Sequence, residues 1–295
     1  MSSKTHTMFG KPMATITQKV HTLPYPHSPS VMVAYPSIND WRHLYDPNEL
    51  KTTKWRQEMF ADFKRRHERT VIKHLDEICK RLTGRAVLAE FNGKPDHSVM
   101  ILPFDFLPRN STSWRAEVGA VTRSTDPDSE EDVTLCNLKP SADGALVCLQ
   151  GAPKGAGSSV DIYFAASRAT GNDGPDDALL HELVHASRKV KGIVHRIPVN
   201  GGYKNLEEFL ANLITNIYKS ERRQRLYDYE GAPINHGAYL DKPPLIPTAR
   251  SLLEHFHRRQ GTLFAALAAI GPTVAAFNPV RQLDAESRAW ARYRR

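Results

Sequence analysis

The sequence predicts an α+β fold in which a small mixed or antiparallel sheet packs on a central helix, with helical parts before and after. Three observations carry this expectation. Apolar residues recur near 3.6-residue spacing from Asp46 to Leu82. Short β-like runs separated by Gly, Pro, Asn and Asp turns follow from Arg85 to Ala165. Three- and four-residue apolar spacing then returns from Pro175 onward. A chain of 295 residues, 40% of them hydrophobic, is long enough to bury a sizeable core.

Residues 1–36 are rich in Thr, Ser, His and Pro and have no helical period. They are expected to form a flexible or extended segment ahead of a single domain spanning 37–295. Within 37–84, Trp55, Met59, Phe63, Val71, Leu75 and Ile78 define one helical face, and Gly84 is expected to stop the run. The strand-rich part, 85–166, offers Arg85–Phe91, Ser98–Phe104, Trp114–Thr122, Val133–Leu138, Ala145–Leu149 and Val160–Ala165 as strands, with Asp126–Asp132 as an acidic loop. Two helices in 175–230 hold the residues of chemical interest. After a linker marked by Pro243, Pro244 and Pro247, the part 245–295 reads as helices Thr248–Gln260, Thr262–Ile270 and Leu283–Arg294.

The strongest chemical signal is His181-Glu182-Leu183-Val184-His185. Two histidines four apart lie one turn apart on one helical face, so both imidazoles can reach a single metal ion. Glu182 projects beside them, suited to a metal-bound water rather than to the metal itself. The surroundings support a helix. Gly171 to Gly174 form a turn, Pro175 suits the first helical position, and Asp176 and Asp177 lie in the first turn, where the helix dipole favours acids. Arg188, Lys189 and Lys191 crowd the far end, and Gly192 offers a stop.

A catalytic zinc site needs a third protein ligand and leaves the fourth position to water. Glu207 and Glu208 are the candidates, 22 and 23 residues after His185 at the start of the next helix. Glu207 flanks the apolar face set by Leu206, Leu210, Leu213 and Ile217, whereas Glu208 has Asn212 one turn on as a hydrogen-bonding partner. The balance leans to Glu208. One zinc ion held by His181, His185 and Glu208 would bring the pKa of a bound water to about 7, with Glu182 as general base. Tyr203, His195, Tyr218, Tyr227 and His236 compete as the donor that faces the developing oxyanion.

These residues carry a resemblance. His181 to Ala186 looks like the zincin metallopeptidase helix. Taken with Asn205-Leu206-Glu207-Glu208-Phe209 and Thr215 to Glu221, it resembles bacterial secreted effector and toxin peptidases of the NleD-like group. The likeness covers 175–230, under a quarter of the chain. It implies a zincin-like fold, a sheet edge beside the cleft able to pair with an extended peptide, and Glu208 as the metal-binding member of the Glu-Glu pair. It also implies a secreted metalloprotease with a protein substrate in a target cell, and leaves room for a chaperone or immunity partner.

Net charge is +8 and the isoelectric point is near 9.4. The bases cluster at Lys64 to Arg69, Arg222 to Arg225 and Arg288 to Arg295, yet no RRM, zinc-finger or helix-turn-helix signature accompanies them. Solvated helix faces are the simpler reading. The competing function class is an inactive zincin-like protein that binds metal and engages nucleic acid or an anionic surface through those helices. Cys79, Cys136 and Cys148 lack C-x-x-C spacing and read as buried thiols. The N-terminus lacks the apolar core of a cleaved signal, so cytoplasmic synthesis is expected, and the export that the resemblance implies would use a dedicated route needing no cleaved signal. The apolar stretch Leu263–Phe277 is too short to span a bilayer and is broken at Gly271-Pro272.

Overall fold

A computed structural model describes residues 20–37, 53–92, 96–106, 120–125, 155–166, 174–195, 205–226 and 247–293, together with two short strand pairs. Those pairs are β1 (Thr7–Met8) with β2 (Lys11–Pro12) and β7 (Lys139–Pro140) with β8 (Leu146–Val147). The expected strand Val133–Leu138, the acidic loop Asp126–Asp132, Cys136, Cys148 and the linker residues Pro243 and Pro244 lie outside the described residues.

The main sheet is mixed. Its five strands are β3 (His21–Tyr25), β4 (Ser28–Tyr35), β5 (Val99–Pro103), β6 (Ala120–Ser124) and β9 (Val160–Phe164), in the order β3-β4-β5-β9-β6. β4, β5 and β9 run parallel; β3 and β6 pair antiparallel on the two flanks. One face is built from alternate residues. Val31 and Val33, Val99 and Ile101, and Ile162 and Phe164 are buried on it against helices, because successive strand side chains point to opposite sides.

Helix α1 (Thr53–Cys79) packs on β4, and α3 (Pro175–Val190) packs on β6 and β9. Helix α4 (Leu206–Glu221) lies against α3, and α5 (Pro247–Arg259), α6 (Gly261–Ala268) and α7 (Pro279–Tyr293) close the core behind. The C-terminal helices fall close to their expected positions. Leu263, Phe264 and Leu267 of α6 are buried, and no described helix is long and apolar enough to cross a membrane.

Two expectations are corrected. Part of the supposedly flexible 1–36 segment is structural: β3 and β4 form a hairpin whose second strand sits inside the sheet. Ser28 to Tyr35 bury Val31, Val33, Ala34 and Tyr35, so β-branched residues between the prolines outweigh a composition that is disorder-like when averaged. The other correction is Arg85–Phe91, which is helical. It forms α2 (Leu82–Ala89) and the turn after it. Gly84, Val87, Leu88 and Phe91 are buried at a spacing of three and four, with Thr83 and Glu90 buried beside them. Gly84 therefore does not stop a helix. It sits within α2 because a Cβ there would lie 1.9 Å from the Ile78 carbonyl, and only glycine lets α2 cross the end of α1.

The start of α2 has no local cap: Arg81 makes no side-chain capping bond. Glu221, at the far end of α4, accepts from the amides of Leu82 at 2.9 Å and Thr83 at 2.7 Å and from the Thr83 hydroxyl. A carboxylate on the exposed amides and positive dipole of a helix start is a cap delivered from 138 residues away. Glu221→Ala is expected to cost about 1–2 kcal/mol in urea unfolding, the upper half of the range for cap removal. A variant as stable as the wild type would remove this assignment.

Candidate metal centre

Helix α3 is the expected one almost residue for residue. Pro175 is its first residue and Gly192 ends it with a φ of +62°. Gly192 is also in close contact with Gly155, where an added Cβ would be 2.2 Å from the Gly155 carbonyl oxygen. The first-turn acids do more than meet the dipole. The Asp177 carboxylate accepts from the Gly174 amide at 3.0 Å, while Asp176 accepts from the Tyr218 hydroxyl at 2.8 Å and from Arg222. Arg222 Nη1 also reaches Asp177 at 3.1 Å. These bonds pin the start of α3 to the end of α4.

His181, His185 and Glu208 come together between the two helices. The two imidazole Nε2 atoms are 3.1 Å apart, Glu208 Oε2 is 3.4 Å from His181 Nε2, and Glu208 Oε1 is 3.8 Å from His185 Nε2. Ligands bound at about 2.0–2.1 Å with tetrahedral angles stand roughly 3.3 Å from one another, so these separations bracket what a zinc ion requires. It is the cluster of three His, Cys, Asp or Glu side chains among the described residues whose ligand atoms could share one ion. The histidines are largely buried while Glu208 keeps 28% of its side-chain surface, so the cluster opens on one side. Burial holds the His185 imidazole below its usual pKa, and His181 adds to this despite the carboxylates of Glu208, Glu182 and Glu207. A neutral ring with a lone pair on nitrogen is the form that ligates a metal.

Glu182 leaves the helix beside the cluster and meets the sheet. Its carboxylate accepts from the Thr122 hydroxyl, whose oxygen also lies 3.2 Å from the Glu182 carbonyl. Thr122 belongs to β6, the last strand of the sheet in its described order. Among the described strands the edge beside the helix is therefore β6, while Val160–Phe164, the strand that precedes α3 in sequence, is enclosed between β5 and β6. Nothing in the spacing of the sequence marks Thr122. Its relation to Glu182 arises only when β6 pairs antiparallel to β9, opposite Ile162 and on the helix side.

Glu207, the alternative third ligand, is fully engaged elsewhere. Arg188 donates to it through Nε at 2.7 Å and Nη2 at 2.9 Å, and the His195 amide donates at 2.7 Å. The expected partnership of Asn212 with Glu208 is not made: Asn212 is buried on α4, but its Nδ2 has no hydrogen-bond partner. Of the candidate oxyanion donors, Tyr218 is buried with its hydroxyl committed to Asp176; burial first, and the Asp176 carboxylate second, push its pKa above the usual tyrosine range. His195 is buried, its ring edge-on to His255 with centroids 4.5 Å apart. Tyr203, Tyr227 and His236 lie outside the described residues. Compared with known proteins, the chain matches no protein-family model, no curated protein and no solved structure.

Proposed function

We propose that the protein is a zinc-dependent endopeptidase, acting as a secreted effector or toxin on a protein in a target cell. The observation that carries the reading is the convergence of His181 Nε2, His185 Nε2 and Glu208 at 3.1–3.8 Å beside a carboxylate that takes no part in the cluster. Two imidazoles and one carboxylate are the ligand set of a hydrolytic zinc site with an open position, rather than of a structural site closed by four ligands. Zinc held there supplies Lewis acidity to a carbonyl and acidity to a water.

The remaining work falls to the chain's own side chains. Glu182 accepts a proton from the attacking water and returns it to the departing amine. Thr122 keeps the Glu182 carboxylate turned toward the sheet edge. β6 offers backbone groups for an extended peptide to pair with, which gives main-chain affinity without strong side-chain selection. The effector role rests on the resemblance of 175–230 to secreted metallopeptidases.

Metal stoichiometry and substrate mapping test this together. The wild-type chain is expected to bind one zinc ion, and Glu208→Ala to weaken it by more than about 100-fold, beyond the loss typical of an outer partner. Cells expressing the wild type are expected to show new protein termini that are missing with Glu208→Ala. Zinc bound at unit stoichiometry with no new termini would favour an inactive metal-binding protein. A wild-type chain that takes up no zinc would remove the reading altogether.

A further inference from the structure

We infer that the buried pair Arg188–Glu207 is a positioning device for the metal centre, fixing the register of α4 against α3 so that Glu208 meets both histidines. The inference rests on the reading of His181, His185 and Glu208 as metal ligands.

Arg188 lies three residues after His185 on α3, and Glu207 immediately precedes Glu208 on α4. Each half of the pair is thus within one turn of a ligand, and whatever fixes Glu207 fixes the direction in which Glu208 leaves the helix. Arg188 is fully buried, and every guanidinium nitrogen has a partner. Nε and Nη2 fork onto Glu207, Nη2 also donates to the Ile193 carbonyl at 2.8 Å, and Nη1 donates to Gln260 Oε1 at 2.8 Å. The network continues outward, since Gln260 Nε2 donates to Glu90 at 3.0 Å and Lys191 pairs with the same carboxylate. Both Glu207 oxygens are used, one of them also by the His195 amide.

A planar fork facing a carboxylate admits one relative position of two helices, whereas an apolar contact tolerates sliding. Buried ion pairs add little stability over apolar residues of similar size, and their best-attested use is to fix register. The ligand separations here leave little room for a slide of 1 Å. At the other end of the same helix pair, Asp176 and Asp177 bond Arg222 and Tyr218. The two helices are therefore pinned at both ends with the ligands between. Only the Arg188 end lies beside His185 and Glu208, which makes it the end that sets the site. Arg188 and Glu207 act through Glu208 and touch no reacting atom.

Two variants of the full chain test this, Arg188→Met/Glu207→Leu and Arg188→Lys. The double variant removes both charges, so the fold is expected to survive with a thermal midpoint near that of the wild type. Arg188→Lys keeps the charge and loses the fork. Zinc dissociation constants from chelator competition are expected to rise about 10- to 100-fold in the double variant and about 10-fold in Arg188→Lys. The visible spectrum of the cobalt-substituted double variant is expected to lose tetrahedral intensity. A role limited to stability would lower the midpoint of the metal-free protein and leave the cobalt spectrum unchanged. Folded variants with wild-type zinc affinity and cobalt spectrum overturn the inference while leaving the metal centre in place; a wild type that binds neither metal defeats both.

Discussion

Glu182→Gln is expected to lower turnover by about 100- to 10,000-fold, the range supplied by a positioned general base, and to leave zinc bound. The two effects separate because Glu182 lies outside the ligand cluster: its side chain bonds Thr122 on β6, while His181, His185 and Glu208 converge without it. Glutamine matches glutamate in shape, and its carbonyl oxygen can still accept from the Thr122 hydroxyl, so the sheet edge and helix should stay in place. What it cannot do is take a proton. Zinc content, thermal midpoint and release of new termini should be measured on the same preparation. Loss of cleavage with one zinc retained supports the assignment of Glu182, and an active variant sinks it.

Glu207→Leu is expected to be the most destabilising single change near the site, at about 3–5 kcal/mol in urea unfolding. Removing one partner of a buried pair strands the other charge away from water. Arg188 has no exposed surface, and the partners left to it, Gln260 and the Ile193 carbonyl, are uncharged. The His195 amide also loses its acceptor. Adding Arg188→Met should recover most of the loss, since two apolar side chains fill the site without a stranded charge. The non-additivity of single and double variants is itself the measurement. Single-variant stability close to the wild type would mean that water reaches the pair.

The sequence carried much of α3 because its signals are local. Pro175 at the start, Gly192 at the end, apolar Leu179, Leu180, Leu183 and Val184 at helical spacing and the two histidines one turn apart all lie within 18 residues. The same holds for α5 to α7, whose apolar repeats point to the core. Local pattern misled at two places. Val31 and Val33 belong to an inner strand inside a proline-rich head, and Arg85 to Phe91 combine Val and Phe with good helix formers, so neither period dominates.

The choice between Glu207 and Glu208 shows where the limit lies. Helical-wheel position and the residue one turn on gave opposing hints, and the hint favouring Glu208 pointed to a bond with Asn212 that is not made. What separates the two carboxylates is Arg188, buried on another helix and aimed at Glu207, which leaves Glu208 to the histidines. Thr122 is a similar case, placed beside Glu182 by a strand pairing with β9. The sequence by itself determined which residue types and helical spacings could support metal chemistry, because those are fixed within one turn of one helix. Only the tertiary structure decided which carboxylate completes the cluster and what holds Glu182, because those depend on charges and hydroxyls brought in by other elements, and a buried arginine will take the nearest carboxylate whose geometry matches its fork.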